Sequence, residues 1–200
     1  MPVLDKPPRK PTIWTAEDLL TLPADRRVEL VQGELIEMPP PPGGPHGNAT
    51  MRLSAFVSAF VLQHGLGDVF SAETGFLIEQ APDTVLAPDF AFVREERMPA
   101  TLQRGYLALA PDVVLETQSP SDTESGIRYK AQRWLHAGAR SVWVMDPERA
   151  SLTVYRPNTA PEFLNRQDTL SAEDVLPGFT LPLEAVFARI APVTSEEPER

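Results

Sequence analysis

Two acidic residues interrupt apolar runs in this chain, and a lysine follows them. Leu86-Ala87-Pro88-Asp89-Phe90-Ala91-Phe92-Val93 reads as a strand with Asp89 inside it. Pro111-Asp112-Val113-Val114-Leu115-Glu116-Thr117-Gln118 reads as a second strand, broken at Ser119-Pro120-Ser121. Lys130 lies on the helix that follows. An ionised carboxylate taken out of water is costly unless a partner compensates it. The simplest partner for two converging carboxylates is a divalent cation, which implies metal-dependent phosphodiester chemistry.

Strand alternation sets Asp112, Val114, Glu116 and Gln118 on one face, and Val113, Leu115 and Thr117 on the other. A carboxylate at Glu116 can hold a hard cation, with the Thr117 backbone carbonyl as a further oxygen ligand. Magnesium suits such a site, because it keeps several waters and needs only one or two carboxylates. The plain alternative for Glu116 is a buried ion pair with an arginine. For Asp89 it is a Pro-Asp turn at a strand start. Lys130 borders the apolar stripe formed by Ile127, Ala131, Trp134 and Leu135. It either snorkels outward or points into a site. There it would orient water, offset phosphate charge, or act as general base if a metal lowers its pKa.

The elements that position these residues follow from punctuation and periodicity. Thr15-Ala16-Glu17-Asp18 caps a short helix ending near Pro23. Residues 27–38 predict a hairpin turning at Gln32-Gly33, and the prolines of 39–45 a stiff loop. A long core helix is expected over 46–64, stopped by Gly65. Strands are expected near 68–72 and 74–79, then the Asp89 strand, a variable loop over 94–110 and the Glu116 strand. A helix over 122–137 ends at Gly138, and Ser141–Asp146 is a buried strand with a hairpin partner at 152–156. A strand or hairpin near 161–170 and a short helix around 183–190 complete a mixed α/β (α+β) domain on one central sheet. Residues 1–11 are expected to be a flexible segment, 12–191 a single domain, and 192–200 a polar acidic tail.

Two hundred residues suit one domain with a sizeable core. No apolar run approaches the length a bilayer needs, and the first residues lack an apolar signal core, so the chain reads as cytoplasmic. The absence of cysteine removes disulfides, thiolate metal sites and a Cys nucleophile. The net charge of −10 runs against nucleic-acid binding, which rests on neutralising phosphates. Arg94, Arg97, Arg104, Arg128, Arg133 and Arg140 are the cations that could form a local basic groove. Their plain reading is ordinary solvated surface.

An ordered set of motifs runs through the chain. It comprises Val28-Glu29-Leu30-Val31-Gln32-Gly33-Glu34-Leu35, His46 opening the long helix, Ala87-Pro88-Asp89, Glu116-Thr117-Gln118-Ser119-Pro120-Ser121, Lys130, and Ser141-Val142-Trp143-Val144-Met145-Asp146-Pro147. This set resembles the Uma-two family, long labelled a domain of unknown function, within the PD-(D/E)XK superfamily. The resemblance covers roughly residues 14–190. It implies a restriction-endonuclease-like core: a central mixed sheet flanked by helices, with an N-terminal hairpin and a Mg²⁺-dependent site in which Mn²⁺ substitutes. Carried over, Asp89 and Glu116 are the acidic metal ligands. The superfamily's usual lysine position, two after the second acid, is Gln118 here. The family's lysine matches Lys130 instead, and Gln118 is left to hydrogen-bond the attacking water. Glu29 matches an acidic position before the first core strands, and its plain reading is an exposed hairpin residue. His46 matches a family histidine, and its plain reading is a polar residue at a helix start. Glu73 is a weaker candidate near the metal. His64 and His136 read as surface residues near helix ends.

The expected function is a metal-dependent endonuclease acting on DNA, with homodimerisation expected by fold analogy. The alternatives are a non-catalytic module that retains the fold, or a hydrolase of RNA or a small phosphoester.

Overall fold

The computed structural model describes residues 13–23 and 26–191. The expected flexible segment at 1–11 and acidic tail at 192–200 lie outside the described residues. Thr15 caps helix α1 (Ala16–Leu19) through a capping box with Asp18. Strands β1 (Val28–Val31) and β2 (Glu34–Glu37) pair antiparallel, turning at Gln32 and Gly33, both at positive φ. Gly33 suits that turn for a second reason, since a Cβ there would come within 2.6 Å of Ile13. Helix α2 (Gly44–His64) starts at Gly43 and ends at the left-handed Gly65.

Strands β3 (Gly67–Ser71), β4 (Phe76–Glu79), β5 (Thr84–Leu86), β6 (Phe90–Arg94) and β7 (Val113–Thr117) follow in turn. Helix α3 (Glu124–His136) starts where the Thr123 hydroxyl accepts the Gly126 N–H. Next come β8 (Ser141–Asp146), β9 (Ser151–Tyr155), β10 (Glu162–Asn165), β11 (Thr169–Ser171), β12 (Thr180–Pro182) and the one-turn helix α4 (Leu183–Val186).

A six-stranded mixed sheet in the order β10-β9-β8-β7-β6-β3 forms the centre. Only β7 and β8 pair parallel within it, and α3 makes the crossover that a parallel pair requires. Alternation then decides the layers. Phe90, Phe92, Val113, Leu115, Trp143 and Met145 face one way, against Leu53, Val57 and Val61 of α2 and the C-terminal segment. Ala91, Val93, Val114, Val142 and Val144 face the other way, against Ile127, Ala131 and Trp134 of α3. A smaller sheet, ordered β2-β1-β5-β4, carries the hairpin.

Several expectations need correction. The Asp89 strand is not continuous from Leu86. It breaks at Ala87–Asp89, where Pro88 has no N–H to give a central ladder, and the chain passes from the small sheet to the large one. The expected loop over 94–110 holds a single 3₁₀ turn at Glu95–Arg97. Near the C-terminus the strand alternative is realised as β10, while β11 pairs with β12 rather than closing a hairpin with β10. The expected helix over 183–190 stops at Val186, because Phe187 and Ile190 turn inward to join the core. Among the described residues, no helix is long and apolar enough to cross a membrane.

The far end of β7 is anchored by a buried acid. Asp112 is fully buried, accepts the Arg94 N–H at 3.0 Å and pairs with Arg97 at 2.9 Å. Its carbonyl accepts the N–H groups of Arg140 and Ser141 at the start of β8. Removing one partner of a buried pair costs about 3–5 kcal/mol. Arg97 is one-third exposed, which puts this pair at the low end. We predict that Asp112→Ala lowers unfolding free energy by about 3 kcal/mol in urea titration. A loss below about 1 kcal/mol, the worth of a surface pair, would remove the anchoring role.

Candidate active site

At the opposite end of β7, backbone hydrogen bonds lock two carboxylates to one strand. The Asp89 N–H donates to the Leu115 carbonyl at 3.0 Å, and the Thr117 N–H donates to Oδ2 of Asp89 at 2.7 Å. Asp89 therefore grips β7 on both sides of Glu116. The turn reading and the ligand reading of Asp89 are compatible, since a broken strand is what lets its side chain turn toward β7. Thr117 lies on the other face, within 2.8 Å of the Thr50 hydroxyl. His46, in the first turn of α2, has Nε2 3.0 Å from the Thr117 carbonyl and 3.7 Å from Oδ2 of Asp89. A carbonyl only accepts, so Nε2 carries the proton in this arrangement.

Lys130 points inward. Its Nζ lies 3.0 Å from Oε1 of Glu29 and 3.1 Å from Oε2 of Glu116. The buried-pair reading of Glu116 is thus realised by a lysine, not an arginine. Glu29 is buried rather than an exposed hairpin residue, and the same Oε1 accepts the Ala87 N–H at 3.2 Å. Its burial follows from β1 having neighbours on both sides, β2 and β5. The other oxygen of Glu116, Oε1, accepts the Trp134 indole N–H at 2.7 Å.

These neighbours set the charge states. Burial pushes the Glu116 carboxyl up to about 7, and Glu29 and Asp89 push the same way. Lys130 and the Trp134 N–H oppose them without prevailing. Burial pulls the Lys130 ammonium down, but Glu116 and Glu29 outweigh it and the net shift is upward. Lys130 is therefore a charged donor at neutral pH in the metal-free site.

Glu29, His46, Asp89, Glu116, Thr117 and Lys130 line one cleft of ≈ 580 Å³. Glu73 reaches its rim, where it pairs with Arg27 at 3.7 Å. Gln118 is not brought in. β7 ends at Thr117, and Gln118 lines a separate hollow beside Asp146 and Glu148. The suggested arginines are elsewhere too, and none of them lines the cleft. Arg94 and Arg97 hold Asp112, Arg128 pairs with Glu124, and Arg133 is buried against Glu79 and Tyr129. The rim cations are Arg26 and Arg27, and Tyr106 adds an aromatic wall. Sequence reasoning missed these three, and the arginine pair just before the hairpin is the signal that could have found two of them. His64 and His136 sit at helix ends, where each bonds the carbonyl four residues back.

The groups able to hold a metal are hard oxygen donors: the Asp89 and Glu116 carboxylates and the Thr117 carbonyl. A carbonyl has two lone pairs, so the His46 bond does not exhaust it. Among the described residues, no three His, Asp or Glu side chains form a ready cage for an ion. The arrangement fits a cation that keeps most of its waters, such as Mg²⁺. Glu29 and Glu116 flank the Lys130 ammonium and Asp89 lines the same cleft, which leaves a deficit of positive charge there.

The Uma2 family, described as "Putative restriction endonuclease", matches residues 16–184 of this chain. A crystal structure described as a "putative nuclease belonging to DUF820" from Anabaena variabilis superposes with a TM-score of 0.74 at 21% identity. The match covers 88% of this chain and 99% of that one. At that identity the likeness shows the shared fold. No curated protein matches the chain.

The raised Glu116 carboxyl yields a signed prediction. Between 4.5, its ordinary value, and about 7, the folded state holds a proton that the unfolded state has released. Stability of the metal-free protein therefore falls as pH rises through that window. We predict such a fall in urea midpoints measured in EDTA from pH 5 to pH 7.5, with a shallower slope in Glu116→Gln. Equal slopes in both proteins would show that Glu116 does not carry the proton.

Proposed function

We propose that this chain, which belongs to the Uma2 family of restriction-endonuclease-like proteins, is a metal-dependent endonuclease hydrolysing DNA phosphodiesters by in-line water attack. One observation carries the reading: Asp89 and Glu116 are fixed to the same strand end, and Glu116 lies 3.1 Å from an inward lysine. A bound Mg²⁺, or Mn²⁺ in its place, would supply Lewis acidity and an acidified water.

The chain's own residues do the rest. Asp89 and Glu116 present their carboxylates from a backbone that cannot shift one without the other. His46 holds the Thr117 carbonyl in place. Glu29 keeps Lys130 charged and aimed, and the ammonium is placed to steady a phosphate oxygen as negative charge develops on it. Arg26 and Arg27 stand at the rim, where a backbone phosphate would arrive. Cutting both strands of a duplex calls for two such sites, and a homodimer would provide them.

A second reading has its own support. The chain carries a charge of −10, and both rim arginines are already paired, Arg26 with Glu37 and Arg27 with Glu73. Those facts favour a non-catalytic module, or a phosphoester smaller than duplex DNA, RNA fragments included.

Supercoiled-plasmid nicking at low salt separates the two. Wild type is expected to nick in Mg²⁺ or Mn²⁺ and not in EDTA, and Glu116→Ala to be inactive. Lys130→Ala is expected to retain metal binding with a rate lower by about 10²–10³, the usual cost of losing one charge-stabilising donor. No cleavage together with no Mn²⁺ binding by calorimetry would favour the non-catalytic module. Because Glu116 must release its proton to bind a cation, Mn²⁺ affinity is expected to tighten between pH 6 and pH 8. Affinity that does not change with pH would count against Glu116 as a ligand.

A further inference from the structure

One close contact in the cleft has no part in the scheme above. Trp134 is fully buried, and its indole N–H donates to Oε1 of Glu116 at 2.7 Å. Lys130, one helical turn earlier, takes Oε2 at 3.1 Å. Residues four apart share a helix face, so a single turn of α3 holds both oxygens of one carboxylate.

The indole is itself fixed. It packs edge-on against Phe76, with centroids 6.3 Å apart and planes at 78°, inside the cluster that includes Val114, Ile127 and Ala131. The indole N–H takes one lone pair of Oε1 and its packed ring cannot turn away, whereas Lys130, on a flexible four-carbon stem, can leave Oε2 to another partner. Satisfying a buried indole does not require a carboxylate in this fold. Trp143, equally buried, uses the hydroxyl of Ser141 at 2.9 Å. A carboxylate that the chain would otherwise need for a cation is instead half occupied by a tryptophan.

We propose that Trp134 is a positioning residue that disfavours two-oxygen coordination by Glu116, leaving Oε2 as the readier donor, and so favours small octahedral cations over Ca²⁺. The inference rests on the metal-site reading above. The physical basis is the different habits of the two ions. Ca²⁺ takes six to eight oxygens and often both of a carboxylate, whereas Mg²⁺ takes six in near-ideal octahedral array and keeps its waters. A carboxylate with one oxygen already held by a fixed donor penalises the first habit and suits the second. Residues that orient a ligand from behind typically change metal affinity by about 10–100-fold.

The test compares full-length wild type and Trp134→Phe, which keeps an aromatic ring and removes the N–H. Calorimetry with Mn²⁺ and with Ca²⁺ is expected to show Mn²⁺ affinity falling about tenfold or more, with Ca²⁺ affinity falling less or rising. The Mn²⁺ to Ca²⁺ preference therefore narrows. A purely structural tryptophan would change both affinities alike and leave the ratio unmoved, and that result would overturn the proposal. A second measurement needs no variant. In ¹⁵N-labelled wild type, the assigned Trp134 indole resonance should shift on saturation with Mg²⁺ while that of Trp143 stays. A Trp134 resonance unmoved by bound Mg²⁺ would also overturn it. Wild type that binds no Mn²⁺ would overturn the metal site itself and this inference with it.

Discussion

Three carboxylates, Glu29, Asp89 and Glu116, share one cleft with a single inward ammonium. The rest of the molecule is arranged around holding that imbalance. Like charges repel, and Glu29 and Glu116 are buried away from water, so the site opposes folding unless other parts of the chain compensate. The compensation is local and global. Locally, Lys130, the Trp134 N–H, and the N–H groups of Thr117 and Ala87 each take a carboxylate oxygen. Globally, the two apolar clusters on either side of the central sheet supply the burial that keeps the chain folded regardless.

The way the fold delivers these groups explains its topology. A parallel pair needs a crossover, and the crossover here is α3, which brings Lys130 and Trp134 over the end of β7. The break at Pro88 lets one segment serve two sheets, so Glu29 from the small sheet meets Glu116 from the large one. The acidic balance of the chain is concentrated in function at this point but spread over the surface elsewhere. Arginines that might have offset it at the cleft are engaged in holding the fold, at Asp112 and at Glu79.

Much of this is legible in the sequence, for physical reasons. β7 alternates because its two faces meet different clusters, so the side on which Glu116 falls can be read from Val114. The long helix reads well because Gly65 stops it and its apolar positions repeat on one face. Lys130 is different. A lysine beside an apolar stripe is equally consistent with snorkelling, and its direction is decided by Glu29, 101 residues away in the chain. Glu29 in turn looks like a surface hairpin residue, because what buries it is β5, three residues long and followed at once by Ala-Pro-Asp. Trp134 fits the core stripe by spacing, and nothing in the spacing reveals where its N–H goes. Gln118 fails for the opposite reason: alternation was carried one residue past the strand that supports it. The C-terminal helix starts where it is read but is shorter, because Phe187 and Ile190 gain more from core contact than from continuing a marginal helix.

The Asp89 N–H bond to Leu115 continues the antiparallel ladder that pairs Phe90 with Leu115 and Phe92 with Val113, and the Thr117 N–H then closes on the Asp89 carboxylate. The distance between the two acids is thus set by strand register, with the Asp89 carboxylate fastening the end of the ladder. Sliding β6 by one residue along β7 would turn its side chains to the opposite faces and separate the acids together with the core contacts that specify the pairing. The separation of the two acids is in this sense a ruler marked on the backbone. Drift in the surrounding sequence can alter what stands beside the ruler, but not its length, for as long as the sheet forms at all.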